Sequence, residues 1–177
     1  MQVLRHSSAH TLDITYSQAW FQYLNQAGQR LTKTSLILFF REKEKKFQDL
    51  PDYAFIVFSL SKAYEGFLKQ LLLDLKLIDK KIVENKHFRI GRALNPDIRQ
   101  SERDEHWLYD DVAKECGEEL SRQLWNTWLQ CRNQIFHYFP GKDKRVGLSD
   151  AEKCLNLLID SMSGAVGCLK SDHLLEK

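Results

Sequence analysis

The chain has 177 residues, room for one domain with a sizeable core and too few for two of ordinary size. Its 43% hydrophobic and 28% charged residues belong to an ordinary globular chain, which excludes a low-complexity or disordered class. A net charge of only +2 excludes nucleic-acid binding driven by the whole molecule, so any such contact must come from local basic patches. Three prolines and eight glycines beside long periodic apolar segments point to helices rather than many short strands. No window approaches the ~20 uninterrupted apolar residues of a membrane span. Residues 1–10 carry no apolar run of the signal-peptide kind, so a cytoplasmic chain with no membrane contact is expected. Cys116, Cys131, Cys154 and Cys168 form no C-x-x-C pair and have no histidine at zinc-finger spacing. Reduced core cysteines, with no metal and no cofactor, are the expectation.

In chain order, residues 1–13 read as a flexible arm and 14–177 as a single helical domain. Tyr16, Ala19, Trp20, Tyr23, Leu24, Ala27 and Leu31 trace an amphipathic helix. Either Gly28 interrupts it, or it runs on through Ser35-Leu-Ile-Leu-Phe-Phe40, a stretch too apolar to face water. Arg41-Glu-Lys-Glu-Lys-Lys46 reads as a solvated helix end. Pro51 opens the next helix. From Tyr53 to Ile78 that helix is apolar nearly all round, which marks it as the centre of a bundle. Glu65 stands out on it, either as an i,i+4 partner of Lys69 or as an acid facing a functional site.

Residues 79–105 are the least periodic, with Gly91 and Pro96, and read as a partly basic loop insertion. Lys80, Lys81, Lys86, His87, Arg89 and Arg92 form a possible phosphate-contacting strip, and Phe88 and Ile90 should pack the insertion back on the body. A helix then carries Leu120, Leu124, Trp128, Cys131 and Ile135 at core spacing, and Phe139-Pro140-Gly141 stops it. Arg132 lies inside that apolar stripe, four residues after Trp128 and four before Phe136, so it needs a partner. Beside it run Asn126, Gln130, Asn133 and His137, a polar stripe without a carboxylate or lysine, suited to meeting another surface. Lys142-Asp-Lys144-Arg145 follows as a short basic loop next to His137. Ser149-Asp-Ala-Glu152 is a capping box opening the last helix, whose stripe is Ala151, Cys154, Leu155, Leu158, Met162, Ala165 and Leu169. Fraying is expected beyond Lys170.

Arg132-Asn133, then His137 five residues after the arginine and near the end of a late helix, resembles the motif of the HEPN superfamily (higher eukaryotes and prokaryotes nucleotide-binding domains). Ala63-Tyr-Glu65-Gly-Phe-Leu-Lys69 is similar to the second helix of the RNase LS-like branch. The resemblance spans about residue 50 to the C-terminus. It implies an all-α antiparallel bundle of four to five main helices, carrying here the insertion at 79–105. It also implies a homodimeric, metal-independent endoribonuclease acting as a toxin or anti-phage effector, held by an antitoxin or other regulatory partner. The catalytic residues it implies are Arg132, Asn133 and His137, with Glu65 orienting one of them. In a branch paired with nucleotidyltransferase antitoxins the motif continues His-x-Tyr and that tyrosine is modified. Here Tyr138 follows His137 directly and Phe139 takes the expected place, so modification is not expected.

The residues suit that chemistry. Attack of a ribose 2′-OH on its phosphate needs proton transfer near pH 7, which His137 supplies, and a fixed cation on the phosphate, which Arg132 supplies. Lys142, Lys144, Arg145, Arg89 and Arg92 are the candidate RNA contacts. On an ideal α-helix, Arg132 and His137 point ~140° apart, which argues for a composite site built from two copies along the motif helices. By contrast, Asn133 and His137 are i,i+4 neighbours able to hydrogen-bond. The alternative reading is a non-catalytic module that binds a nucleotide or RNA, or mediates association, with Arg132 paired to an acid such as Glu65 and His137 capping its helix.

Overall fold

A computed structural model describes residues 8–47, 49–137, 140–141 and 144–172; among these every regular element is helical. The first helix, α1 (Ser8–Ser17), begins inside the stretch assigned to the arm, and residues 1–7 lie outside the described residues. Two more, α2 (Ala19–Tyr23) and α3 (Gln26–Lys43), replace the one expected from Tyr16 onward. The break falls before Gly28. Asn25 leaves the helical region and its side chain accepts the Gly28 N–H at 2.9 Å, capping α3. Beyond it α3 continues through Leu36, Phe39 and Phe40, all buried. Glu42, expected in a solvated helix end, is also buried and is held by Lys45 at 2.8 Å.

The centre is α4 (Ala54–Asp74), packed against α3, the last helix and the motif segment. Its buried residues Ile56, Leu60, Tyr64, Phe67, Leu68, Leu71 and Leu72 cover most of its circumference, as the continuous apolar run predicts. Three buried hydroxyls tie it to its neighbours. Ser35 donates to the Ile56 carbonyl, Ser61 to the Cys131 carbonyl at 2.7 Å, and Tyr64 to the Leu124 carbonyl at 3.1 Å, with Ser161 Oγ 2.8 Å from the same phenol. The helix stops four residues short of Ile78. Lys76 adopts φ +59°, and the Lys76 and Leu77 N–H groups return to Leu73 and Leu72, which closes a Schellman turn with lysine where glycine is usual.

The insertion is ordered into α5 (Lys80–Glu84), α6 (Ile90–Ala93) and a single 3-10 turn, Gln100–Glu102. Phe88, Ile90, Ala93 and Leu94 are buried beneath it, so it packs on the body as expected. Then come α7 (Tyr109–Cys116) and α8 (Glu118–Trp128), a π-helical segment Leu129–Asn133, the short α9 (Gln134–Phe136), and α10 (Leu148–Asp172). In α10, Ser149 lies within the helix rather than capping it, and Glu152 reaches across to Lys43 at 2.8 Å. No helix among the described residues is long and apolar enough to cross a membrane.

The cysteines depart from expectation. Cys116 and Cys168, 52 residues apart in sequence, are joined by a disulfide that ties the end of α7 to the end of α10. Cys131 and Cys154 are free thiols. Local spacing could not reveal the pairing, because two helices meeting in space set it.

Candidate active site

Helix α8 runs regularly to Trp128, burying Leu124, Trp125 and Trp128. There the backbone widens, and the Gln134 N–H bonds to the Leu129 carbonyl, an i→i−5 bond. Such a turn stacks residues five apart rather than four, and it shifts the phase of everything after it. Cys131 is carried fully into the core, and Arg132 emerges half-buried instead of lying in the apolar stripe. After Phe136 the chain leaves the helix, and His137 is extended at φ −102°, ψ 127°. The two changes together bring Arg132 Nη1 to 3.2 Å from His137 Nε2.

The argument from ideal helical spacing, that one chain cannot aim both residues at one atom, therefore does not hold for this backbone. The i,i+4 hydrogen bond expected between Asn133 and His137 is not formed among the described residues; Asn133 lines the same cleft instead. An arginine N–H can only donate, so in its contact with Arg132 the His137 Nε2 accepts.

Arg132 is held from two further sides. Its guanidinium carbon lies 5.2 Å from the centre of the Trp128 ring, within cation–π range. Glu65 Oε2 is 3.9 Å from Nη2, a long, partly exposed ion pair that contributes about 1 kcal/mol at most but sets direction. Glu65 thus faces the arginine across from α4, in the orienting position, rather than stitching to Lys69.

These residues open into a cleft of about 540 Å³. Arg132, Asn133 and His137 line it from the motif segment, Trp125 and Trp128 from the same helix, and Glu65 from α4. Lys86, Arg89 and Arg92 line it from the insertion. Gly91 holds the insertion in place, because a Cβ there would lie 2.6 Å from Trp128 Nε1, and only a bare backbone can approach the indole so closely. Arg89 is exposed and makes no ion pair among the described residues. Arg92 is engaged otherwise: its Nη2 lies 3.0 Å from Asp104, whose carboxyl it holds below the usual carboxylate range. On the far side of Arg132, Phe58, Ser61, Lys62 and Phe136 shape a second hollow of about 240 Å³.

The basic loop after the motif fares differently. Lys142 and the neighbouring Tyr138 and Phe139 lie outside the described residues. Lys144 and Arg145 are exposed and do not line the cleft, and the Lys144 charge acts on Cys154 and Asp150. Sequence reading placed Lys86 in the basic strip without assigning it to the site, took Trp128 for core alone and did not single out Trp125. Both tryptophans are nearly buried yet lend edges to the cleft. Searches of family models, of curated proteins and of solved structures return no match to this chain.

Proposed function

We propose that this chain is an endoribonuclease of HEPN type, which cleaves RNA by attack of the 2′-OH on the adjacent phosphate. The observation that carries the reading is the Arg132–His137 contact in a cleft that the exposed Arg89 also lines. A phosphate entering the cleft takes over the Arg132 fork, with Glu65 and Trp128 fixing its direction. His137 Nε2 then takes the 2′-OH proton. The 2′-oxygen attacks phosphorus, the bond to the 5′-oxygen breaks, and the products are a 2′,3′-cyclic phosphate and a 5′-hydroxyl. Asn133 supplies an amide donor for a phosphate oxygen. In this reading the reaction runs without a metal.

In-line displacement puts the attacking and leaving oxygens on opposite sides of phosphorus, so one imidazole cannot serve both at once. We therefore retain a homodimer along the motif helix, in which a second histidine protonates the leaving oxygen. Support comes from the exposed, uncharged Asn126, Gln130 and Gln134, and from Phe58, 53% exposed on α4 against Phe136 of the motif segment. A HEPN-like bundle, a toxin or defence role and a regulatory protein partner belong to the same proposal, as does a cytoplasmic setting.

The test is cleavage of a mixed RNA pool in EDTA by wild type, Arg132→Ala and His137→Ala, with molar mass checked for all three. Cleavage by folded wild type alone, lost on 2′-deoxy substitution at the cut site, is the expected result. Equal behaviour of all three, with RNA bound but uncut, would replace this reading with a nucleotide- or RNA-binding module.

A further inference from the structure

The four cysteines sort into two spatial pairs, each linking α10 to the helices that precede it. Cys168 is bonded to Cys116. Further up α10, Cys154 faces Cys131, whose Sγ lies 3.7 Å from the Cys154 carbonyl oxygen. Cys131 is fully buried in the π-helical segment, directly before Arg132, while Cys154 is only half-buried. A buried thiol thus lies beside a partly exposed one, in the residue next to Arg132.

We propose that Cys131 and Cys154 form a modification site, a dithiol oxidised by hydroperoxides in which Cys154 is attacked and Cys131 closes the disulfide. The surroundings divide the labour in that direction. The Cys154 thiol is held below its ordinary range, first by the adjacent Cys131 thiol and, against partial burial, by the Lys144 ammonium, with Lys153 adding and Asp150 opposing. The Cys131 thiol, whose S–H is directed at the Cys154 carbonyl oxygen, is pushed up by the Cys154 thiol beside it and by burial. In the first step the Cys154 thiolate attacks one peroxide oxygen, the O–O bond breaks, and the other oxygen leaves as alcohol or water after taking a proton. Cys154 is then a sulfenic acid. In the second step Cys131 attacks that sulfur, gives up its proton, and water leaves. Two thiols have lost two electrons to the peroxide. The new bond would tie the π-helical segment to α10. On the ribonuclease reading, and resting on it, oxidation would alter the cleavage rate through the aim of Arg132.

The experiment treats the full chain with hydrogen peroxide and maps it under non-reducing conditions. Trypsin releases residues 123–132, carrying Cys131, and residues 154–170, which hold both Cys154 and Cys168. Further cleavage before Asp160 separates those two. Linkage of the Cys131 peptide to the Cys154 peptide, with several-fold loss of Cys154 alkylation, is the expected result. In Cys131→Ser, Cys154 should instead be trapped as the sulfenic acid by dimedone. Cys154 that stays alkylatable after peroxide, or a Cys131 peptide that remains a free thiol while Cys154 oxidises, overturns the proposal. The map reads the bond whether or not the chain cuts RNA, so failure here and failure of the ribonuclease reading are separable.

Discussion

Removing the hydroxyl of Ser61 tests whether the π-helical turn is held from outside the motif. Ser61 sits on α4 at 2% exposure and donates to the carbonyl of Cys131, itself 0% exposed, over 2.7 Å. Ser61→Ala leaves that carbonyl in the core without this donor. A buried acceptor stripped of its partner costs about 1–3 kcal/mol, and the lost oxygen is too small to add a large cavity term. In a chain of this length each kcal/mol moves the melting temperature by about 2–4 °C. The assay is urea unfolding followed by tryptophan fluorescence, which Trp125 and Trp128 report from the site itself. Ser59→Ala, on the same helix without a bond of this kind, is the control and should change stability by under about 0.5 kcal/mol. If Ser61→Ala unfolds at the wild-type midpoint, the turn does not depend on α4. The account of how Arg132 reaches His137 would then be wrong. If it is destabilised and also loses RNA cleavage at temperatures where it remains folded, the turn is what builds the site.

Three further outcomes follow from the geometry. Gly91→Ala should destabilise the chain by about 1–3 kcal/mol in the same unfolding assay, because its Cβ would sit 2.6 Å from a buried indole nitrogen; an unchanged midpoint would show that the insertion does not rest on Trp128. Lys76→Gly should stabilise by about 1 kcal/mol, because lysine there holds φ +59°; a loss of stability in urea would refute the Schellman assignment. Arg89→Ala should weaken RNA binding across sequences and lower the salt slope by about 0.7, measured by fluorescence anisotropy at several salt concentrations. Arg92→Ala should leave that slope nearly intact, since Arg92 is paired with Asp104; equal slopes for both variants would remove the distinction.

Helix α4 was readable because burial on nearly every side leaves a continuous apolar run, which no loop would tolerate. The split between α2 and α3 was not, since a single side chain decides it: Asn25 caps, and nothing in the apolar stripe changes period there. The capping box at Ser149 and Glu152 misled for a related reason, because a four-residue pattern does not say whether tertiary contact has already begun the helix at Leu148 and drawn Glu152 to Lys43. The Cys116–Cys168 bond lies beyond any reading by spacing.

The motif is the instructive case, because its oddity was visible while its cause was not. An arginine in the middle of an apolar stripe is anomalous only if the helix keeps one period. Sequence logic kept that period, so it named an acid such as Glu65 as the arginine's partner and needed a second chain to bring Arg132 and His137 to one site; the acid is there, 3.9 Å away. What the spacing did not show is the wider turn that brings Arg132 out of the stripe and to His137 within one chain. The segment Leu129–Asn133 sends Cys131 inward and Arg132 outward, Ser61 takes the Cys131 carbonyl, and the helix ends soon enough for extended His137 to meet the arginine. A turn of this kind has weaker internal bonding than the α-helix it interrupts and persists only where surrounding structure holds it. That the holding groups here are a buried serine, a tryptophan face and a carboxylate on α4 is the physical reason to look for function at this place. A sequence selected for stability alone would have let the helix run straight to Phe136.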